Sequence, residues 1–332
     1  LISKNIQTVY PKIADWGGKT TQIRRLIEPD NKRWSAFNPS IAYSPELGYA
    51  ATIRSSNYVY NETLGTIDVT DGGMVKNKVW FADLDQNTLE ILDIREVQFE
   101  LDDYSLKRGI EDAKLFWRDG SWYFSGIMLE RGHTDIPRVC LYRYDHKLNI
   151  ASLVKKWGGP DVFRPEKNWM FPYDNNPNFD CVYGSTGIVK DDKLIATFSN
   201  QYATGGLRGG SNLWKLADGG YLGVMHTLYL KTQATYNPRT FGHTMSQQRR
   251  YTHQFVKFDN FGKLCLISEE FVFDSLQIEF AAGLVEKDGN YVISYGVNDV
   301  AAKLAVIPVG LVHDKLMPLE TKTVDVYLQP IP

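Results

Sequence analysis

The residues best able to do chemistry are dispersed along the chain but recur in a common local setting. Asn38, Asp112, Lys167 with Asn168, and Ser211 with Asn212 each stand near the start of a short β-rich run. Arg54 and His226 end the runs that follow the first and the fourth, and Asp299 closes the phrase Tyr295-Gly296-Val297-Asn298-Asp299. A mixed set of carboxylates, amides and cations suits a polyhydroxylated ligand, because sugar hydroxyls both donate and accept and these side chains can match them in pairs. Trp169 and Tyr295 are the aromatics expected to cover the apolar face of a sugar ring. Taken singly, each polar residue reads as a turn or strand-end hydrogen bond. Their recurrence at equivalent places favours one shared pocket.

Other chemistries find no footing. The sequence contains no nucleophile elbow, P-loop, dinucleotide glycine motif or HExxH. His243 and His253 lie ten residues apart in a polar stretch and read as hydrogen-bonding or loop residues rather than metal ligands. Cys140, Cys181 and Cys265 are odd in number and far apart, so they read as buried thiols in strands, with neither a zinc site nor a disulfide framework. Such thiols fit a reducing compartment, which weakly favours the cytoplasm. A formal net charge of -2 gives no footprint for nucleic acid, and Arg249-Arg250 reads as a solvated turn. No apolar stretch approaches the ~20 residues that a bilayer span needs. Leu1-Ile2-Ser3-Lys4 has no apolar signal core, and no cofactor or metal is expected.

The elements that must position these residues are strands. Aromatic residues make up 13% of the chain, 27 residues are glycine, and helical periodicity is hard to find. One strand-turn-strand phrase occurs five times. Phe37 to Tyr43 turns at Glu46-Leu47-Gly48 into Tyr49 to Arg54, and Glu111 to Phe116 turns at Asp119-Gly120 into Trp122 to Ser125. Lys167 to Phe171 precedes an Asn/Pro-rich turn and Cys181 to Gly184. Gly210 to Trp214 turns at Asp218-Gly219 into Tyr221 to His226, and Phe280 to Val285 turns at Asp288-Gly289 into Tyr291 to Tyr295. Asp-Gly between β-rich runs is a strong hairpin signal, since glycine adopts positive φ cheaply. Each repeat leaves room for two further strands, the size of a propeller blade. A sandwich or ordinary barrel would not need the same phrase five times. The expected fold is all-β, a five-bladed β-propeller over residues 1–332 as one domain. Residues 1–34 form a lead-in segment and 311–332 the tail that closes the ring. The inner strand of each blade would then bring the polar residues to the central channel.

On these phrases the chain resembles the propellers of glycoside hydrolase family 130, the mannoside phosphorylases and their relatives, over nearly its whole length. Phe37-Asn38-Pro39 ending in Arg54 resembles the family's opening blade, and Gly109-Ile110-Glu111-Asp112 resembles its Val-Glu-Asp-Pro-Arg motif. Glu166-Lys167-Asn168-Trp169 is similar to its lysine-containing third motif. Gly209 to His226 is similar to its Gly-rich strand followed by Tyr-His, and Tyr295 to Asp299 to its terminal Tyr-Gly-Ala-Ala-Asp. The resemblance implies an inverting reaction at a mannoside-like sugar, with Asp112 supplying the proton to the glycosidic oxygen. Asn38, Arg54, Glu111, Lys167, Asn168, Trp169, Ser211, Asn212, His226, Tyr295 and Asp299 would bind substrate. Inorganic phosphate would be the nucleophile in a phosphorylase, water in a hydrolase, and a nucleotide sugar the donor in a transferase. A phosphate needs cations, here Arg54, Arg138, Lys167 and His226, and a sugar nucleotide would place its diphosphate near Arg54, Lys167 and Arg208.

The sequence departs from the family pattern at two places. Ala113-Lys114 replaces Pro-Arg after Asp112, keeping a charge but not a bidentate fork, and Ala281-Ala282-Gly283 replaces Pro-Thr-Gly. The reading from another class is a non-catalytic propeller that binds glycan or serves as a structural module in a homo-oligomer or larger assembly. Asp112 separates the two: an enzyme needs it, whereas a binding module can lose it and still bind.

Overall fold

A computed structural model describes residues 10–22, 34–61, 66–70, 73–101, 103–130, 136–158, 166–183, 187–191, 193–197, 207–237 and 242–319. The chain is a five-bladed β-propeller. Blade 1 runs outward from the axis as Ser35–Ser44, Gly48–Ser56, Asn77–Leu84 and Ile91–Glu96. Blade 2 runs as Glu111–Arg118, Ser121–Glu130, Ile136–Asp145 and Ile150–Lys156, with Gln98–Phe99 added in parallel outside it. Blade 3 comprises Cys181–Tyr183, Gly187–Lys190 and Lys193–Thr197, and its axial segment is bridged through Met170 and Val182. In blade 4, Leu207–Gly209 and Trp214–Lys215 both pair with Tyr221–Asn237, followed by Gly242–Phe258 and Leu264–Ile267. Blade 5 is Glu279–Lys287, Asn290–Val297 and Ala301–Pro308.

Four of the five hairpins read from the sequence are the two axial strands of a blade, and the third is an axial segment held to Cys181–Tyr183 by the single bridge Met170↔Val182. Asp119 and Asp288 take φ of 48° and 49° at their turns and are followed by Gly120 and Gly289 at 69° and 73°, the two consecutive left-handed residues that a tight hairpin demands.

Ring closure differs from expectation. The outermost strand of blade 5 comes from the lead-in segment, where Lys19–Gln22 pairs antiparallel with the third strand from Lys19↔Val306 to Gln22↔Lys303. The tail instead supplies the helix Val309–Lys315 and the short strand Met317–Pro318, which pairs with Leu264–Ile267 on the edge of blade 4. The helix turns the chain away from blade 5 as soon as its third strand ends, and that leaves the edge free for Lys19–Gln22. Residues 1–9, 23–33 and 320–332 of those two segments lie outside the described residues. Arg249-Arg250 is also no turn, because it sits within the long strand Gly242–Phe258.

Apolar side chains fill the spaces between blades. Phe81, Phe116, Trp122, Phe124 and Tyr142 pack between blades 1 and 2 and towards blade 3, while Leu222, Phe255, Phe271, Leu284 and Ile293 pack between blades 4 and 5. Cys140 and Cys181 are buried in strands and Cys265 is half-buried, all as free thiols. No described helix is long and apolar enough to cross a membrane.

The axial strands do not hydrogen-bond to one another as a sheet, so small polar side chains tie them. Ser40 Oγ donates to Ala282 O at 2.9 Å and accepts from Leu115 N at 3.0 Å. Thr52 Oγ1 donates to Ala113 O, and Ile41 N donates to Ser294 Oγ at 2.8 Å. This belt satisfies buried backbone groups that would otherwise cost about 1–3 kcal/mol each.

Candidate active site in the central pocket

The axial strands of blades 1 and 2 and the axial segment of blade 3 share one irregularity. Asn38, Asp112 and Asn168 have φ of 47°, 49° and 62°, and pairing shifts register around the first two. Asn and Asp tolerate the left-handed region better than other non-glycine residues. Each bulge turns its side chain out of the alternation of the strand and into the axial channel. A repeated sequence position thus becomes a repeated site position. In blades 4 and 5 the corresponding segments hold Gly210-Ser211 and Ala282-Gly283, and none of these takes positive φ.

The bulges require glycine beside them. A Cβ on Gly296 would lie 2.6 Å from Asn38 N and against the Asn38 side chain. Gly296→Ala is expected to destabilise the fold by about 1–3 kcal/mol through overpacking and to weaken ligand binding by displacing Asn38. A urea unfolding curve superimposable on the wild type would refute the steric argument.

The channel opens as a pocket of about 740 Å³. Asn38, Arg54, Glu111, Asp112, Lys167, Asn168, His226 and Asp299 line it together, as do Tyr58, Arg108, Arg208, Arg249, Tyr251 and Phe280. Arg54 is its anchor, buried with its Nη1 2.8 Å from Asp112 Oδ1 and its Nε donating to Asn77 Oδ1 at 3.0 Å. The same Asp112 oxygen accepts from Asn38 Nδ2 at 2.9 Å. Burial by itself would raise the Asp112 carboxyl, but the Arg54 charge and the two donors outweigh it and hold the group below its usual value. Lys167 Nζ lies 3.2 Å from Glu111 Oε2 and reaches solvent. Asp299 accepts from Tyr58 Oη at 2.9 Å, and burial raises its carboxyl.

Five expected contributors do not reach the pocket. Trp169 is buried, donating its indole N–H to Glu166 Oε2 at 3.1 Å, and Tyr295 is buried, stacked on Phe273 and donating to Asp274 Oδ2 at 3.1 Å. Ser211 accepts from Val224 N within blade 4, while Asn212 accepts from Phe171 N and donates to Leu115 O, so that Asn212 belongs to the belt between blades. Arg138 lies on the third strand of blade 2, paired with Glu130 at 3.0 Å and donating to Gly158 O. His226 does line the pocket, but burial first, with His253, Arg208 and Lys114 nearby, pushes its imidazole down to about 3. It is therefore a neutral hydrogen-bonding group and not a cation for phosphate.

Lys114 is buried in the wall behind Asp112. Its ammonium donates to Trp169 O and, at 3.0 Å, to Gly210 O, clasping blade 2 to the axial segments of blades 3 and 4. Burial pushes it down to about 7. The charge that follows Asp112 in sequence is thus spent on backbone carbonyls.

Sequence reasoning missed the contributors that come from long excursions. Tyr58 and Tyr60 belong to Tyr58–Asn61, which pairs with Thr66–Val69 as a small hairpin inserted in blade 1 and folded over the pocket. Arg249 and Tyr251 arrive on the second of two 17-residue strands of blade 4. The signal that could have found them is the unbroken Thr/Tyr/Gln-rich run on either side of Asn237-Pro238, too long for an ordinary blade strand. Among the described residues no group of acidic, His and Cys side chains could hold a metal ion.

No family model matches the chain, and no curated protein matches it in sequence. Solved structures do match its fold. A β-1,2-mannobiose phosphorylase from Listeria innocua is similar at a TM-score of 0.55 and 11% identity, over 87% of this chain and 94% of the other. A GDP-Man-dependent mannosyltransferase from Leishmania mexicana gives 0.56 at 13% identity over 87% and 90%. A mannose phosphorylase from Leishmania mexicana, in complex with phosphate ion, gives 0.54 at 14% identity over 88% and 90%. At these identities the likeness is one of fold: the chain has the five-bladed propeller of the mannoside phosphorylases and their relatives.

Proposed function

We propose that the central pocket moves a mannoside-like glycosyl group between a glycan oxygen and a phosphate-bearing partner, either inorganic phosphate or the diphosphate of a nucleotide sugar. The observation that carries this reading is the division of charge in the pocket. Asp112, with Arg54 and Asn38, belongs to blades 1 and 2, and Asp299 follows the second strand of blade 5. Arg208 and Arg249 enter from blade 4, exposed, and neither guanidinium makes an ion pair among the described residues. Carboxylates and amides match sugar hydroxyls, whereas free guanidiniums match phosphate oxygens in pairs. An inverting displacement needs its acid and its nucleophile on opposite faces of the sugar, and a pocket divided in this way supplies both. The fold relatives named above, two phosphorylases and a GDP-Man-dependent transferase, support the choice of mannose.

The test is to incubate the protein with β-1,2-mannobiose and phosphate, with mannose 1-phosphate and acceptor sugars, and with GDP-mannose and acceptors, following phosphate, nucleotide and sugar. Arg208→Ala and Arg249→Ala are each expected to raise KM for phosphate or nucleotide sugar about 10–100-fold, the worth of one charge-assisted hydrogen bond, with a smaller change in kcat. Turnover with water alone, unchanged in both variants, would make the protein a hydrolase instead. The binding-module reading draws on Lys114, whose charge is turned into the wall. Sugar binding without turnover of any donor, unaffected by Asp112→Asn, would establish it.

A further inference from the structure

The small hairpin over the pocket carries a hydroxyl that the protein leaves unpaired. Tyr60 is 8% exposed and lines the pocket, and its enclosed Oη makes no hydrogen bond to any described residue. An enclosed hydroxyl without a partner costs free energy, so one that faces a binding pocket calls for a partner from outside. The hairpin is pinned at its root, where Asn57 O accepts from Thr70 N at 2.8 Å and Asn57 Oδ1 from Lys76 N at 2.7 Å. It is pinned again across the channel, where Tyr58 Oη donates to Asp299 Oδ2 at 2.9 Å. Strand alternation puts Tyr58 and Tyr60 on one buried face and Val59 on the exposed one. The face that reaches Asp299 is therefore the face that holds the Tyr60 ring against the pocket.

The surroundings select the ligand. Ile67 is the cross-strand partner of Tyr60, and both Ile67 and Val75 line the pocket. Arg108, which also lines it, directs Nη1 at the Val75 carbonyl, 3.5 Å away. An aliphatic wall with a neutral hydroxyl suits a hexose ring, which offers a face of C–H groups to the first and a hydroxyl rim to the second. The guanidiniums of Arg208 and Arg249 belong to blade 4, which is not a neighbour of blade 1 in a ring of five. Tyr60 also stands two residues, about 6.5–7 Å, nearer the hairpin tip than Tyr58. That places it beyond a sugar whose hydroxyls are held by Asp112 and Asp299.

We infer that Tyr60 marks a second sugar subsite on the blade 1 side of the pocket. Its hydroxyl pairs there with a hydroxyl of the ring next to the reacting sugar, the ring that leaves in phosphorolysis or accepts in transfer, while Ile67 and Val75 cover an apolar face of that ring. This rests on the glycosyl-transfer reading above and names the end of the substrate that the hairpin selects, the glycan and not the phosphate-bearing partner. Tyr60 is a specificity residue in this scheme and takes no part in moving a proton.

The experiment measures the affinity of wild type and Tyr60→Phe for methyl β-mannoside, for β-1,2- and β-1,4-mannobiose and for inorganic phosphate by calorimetry, with the urea midpoint of each protein. Wild type is expected to hold one of the disaccharides more tightly than the monosaccharide. Tyr60→Phe is expected to weaken that disaccharide about 5–100-fold, the effect of leaving a buried hydroxyl unpaired, and to change methyl mannoside and phosphate by less than about twofold. The urea midpoint should stay level or rise, because the substitution removes an orphan group. A midpoint that falls would show that the hydroxyl is satisfied within the fold, and overturns the proposal. So does a disaccharide affinity that is unchanged in the variant or no better than that of the monosaccharide in wild type. Equal weakening of the monosaccharide, or weakening of phosphate, puts the hydroxyl on another part of the substrate and overturns it as well. Binding and turnover separate this proposal from the reading on which it rests. Disaccharide affinity that depends on Tyr60, with no donor turned over, overturns glycosyl transfer and keeps the subsite, whereas turnover whose KM for the sugar is unchanged in Tyr60→Phe does the reverse.

Discussion

An Arg54→Met variant is expected to be less stable than the wild type by about 3–5 kcal/mol near neutral pH, the usual cost of leaving one partner of a buried pair alone, and to lose sugar binding. Arg54 is 7% exposed and Asp112 16%, so water can repay little of the missing charge. The substitution also strips a donor from Asn77 and the guanidinium that lies 5.0 Å over the Phe37 ring. The pH dependence identifies the cause. Asp112 is depressed in the folded protein, so its contribution is present above the ordinary carboxylate value and disappears as pH falls through the folded value. The stability gap between variant and wild type should therefore close in acid. A gap that persists there would show that lost packing, and not the lost ion pair, carries the effect. Arg54→Lys is expected to recover only part of the loss, because an ammonium cannot serve Asp112 and Asn77 together with a planar fork.

The second large effect lies behind the pocket. His226 and His253 are opposite each other on the two long strands of blade 4, both fully buried and both pushed from 6.5 to about 3, burial being the main cause. Their folded forms are neutral while the unfolded chain protonates near 6.5. Stability is thus complete above that value and is lost as pH falls towards the folded values. Each unit is worth 1.36 kcal/mol per group, so by about pH 5 the pair withdraws on the order of 4 kcal/mol. Against a total of about 5–15 kcal/mol, this brings acid unfolding in above the range in which most carboxylates titrate. Asp299 and Glu279, raised by burial, act with the opposite sign and gain stability as pH falls. The comparison that isolates the histidines is the urea midpoint against pH for wild type and for His253→Gln, in which the amide can still donate to Glu279 O. The variant should show roughly half the slope. Equal slopes would mean that another group unfolds the protein in acid.

The fold was legible because its repeat is local. Asp-Gly turns between β-rich runs depend on two residues and their immediate φ, and those signals located the axial hairpins. The site was legible where the same local rule placed a side chain: Asn38 and Asp112 sit at bulges and Asn168 takes the same left-handed backbone, which Asn and Asp tolerate. It was illegible where position in a strand could not distinguish a channel-facing side chain from one serving the neighbouring blade. Ser211 and Asn212 occur at the equivalent of a bulge, but glycine precedes them, the strand does not turn out, and both side chains satisfy backbone groups, Ser211 within its own blade and Asn212 across the interface. Trp169 and Tyr295 were misplaced for a related reason: strand alternation says that a ring leaves one face of a blade, and only the packed structure says that the face is core. Tyr58 depends on a hairpin inserted in blade 1, and Arg249 on a strand whose unusual length is the one local mark of its reach over the pocket.

The pairing of Lys19–Gln22 with the third strand of blade 5 also sets a timetable. The segment that finishes the ring precedes every blade in the chain, and its partner strand emerges only after four of them have been made. During synthesis four blades can assemble before the latch has anything to grip, and the loop it finally closes runs all the way from Gln22 to Lys303. Until then the edge at Ala301–Pro308 is an open template for a foreign strand. A peptide carrying residues 19–22, supplied in trans to a chain that lacks them, would act as a chaperone in the literal sense, occupying that edge until the circle is complete.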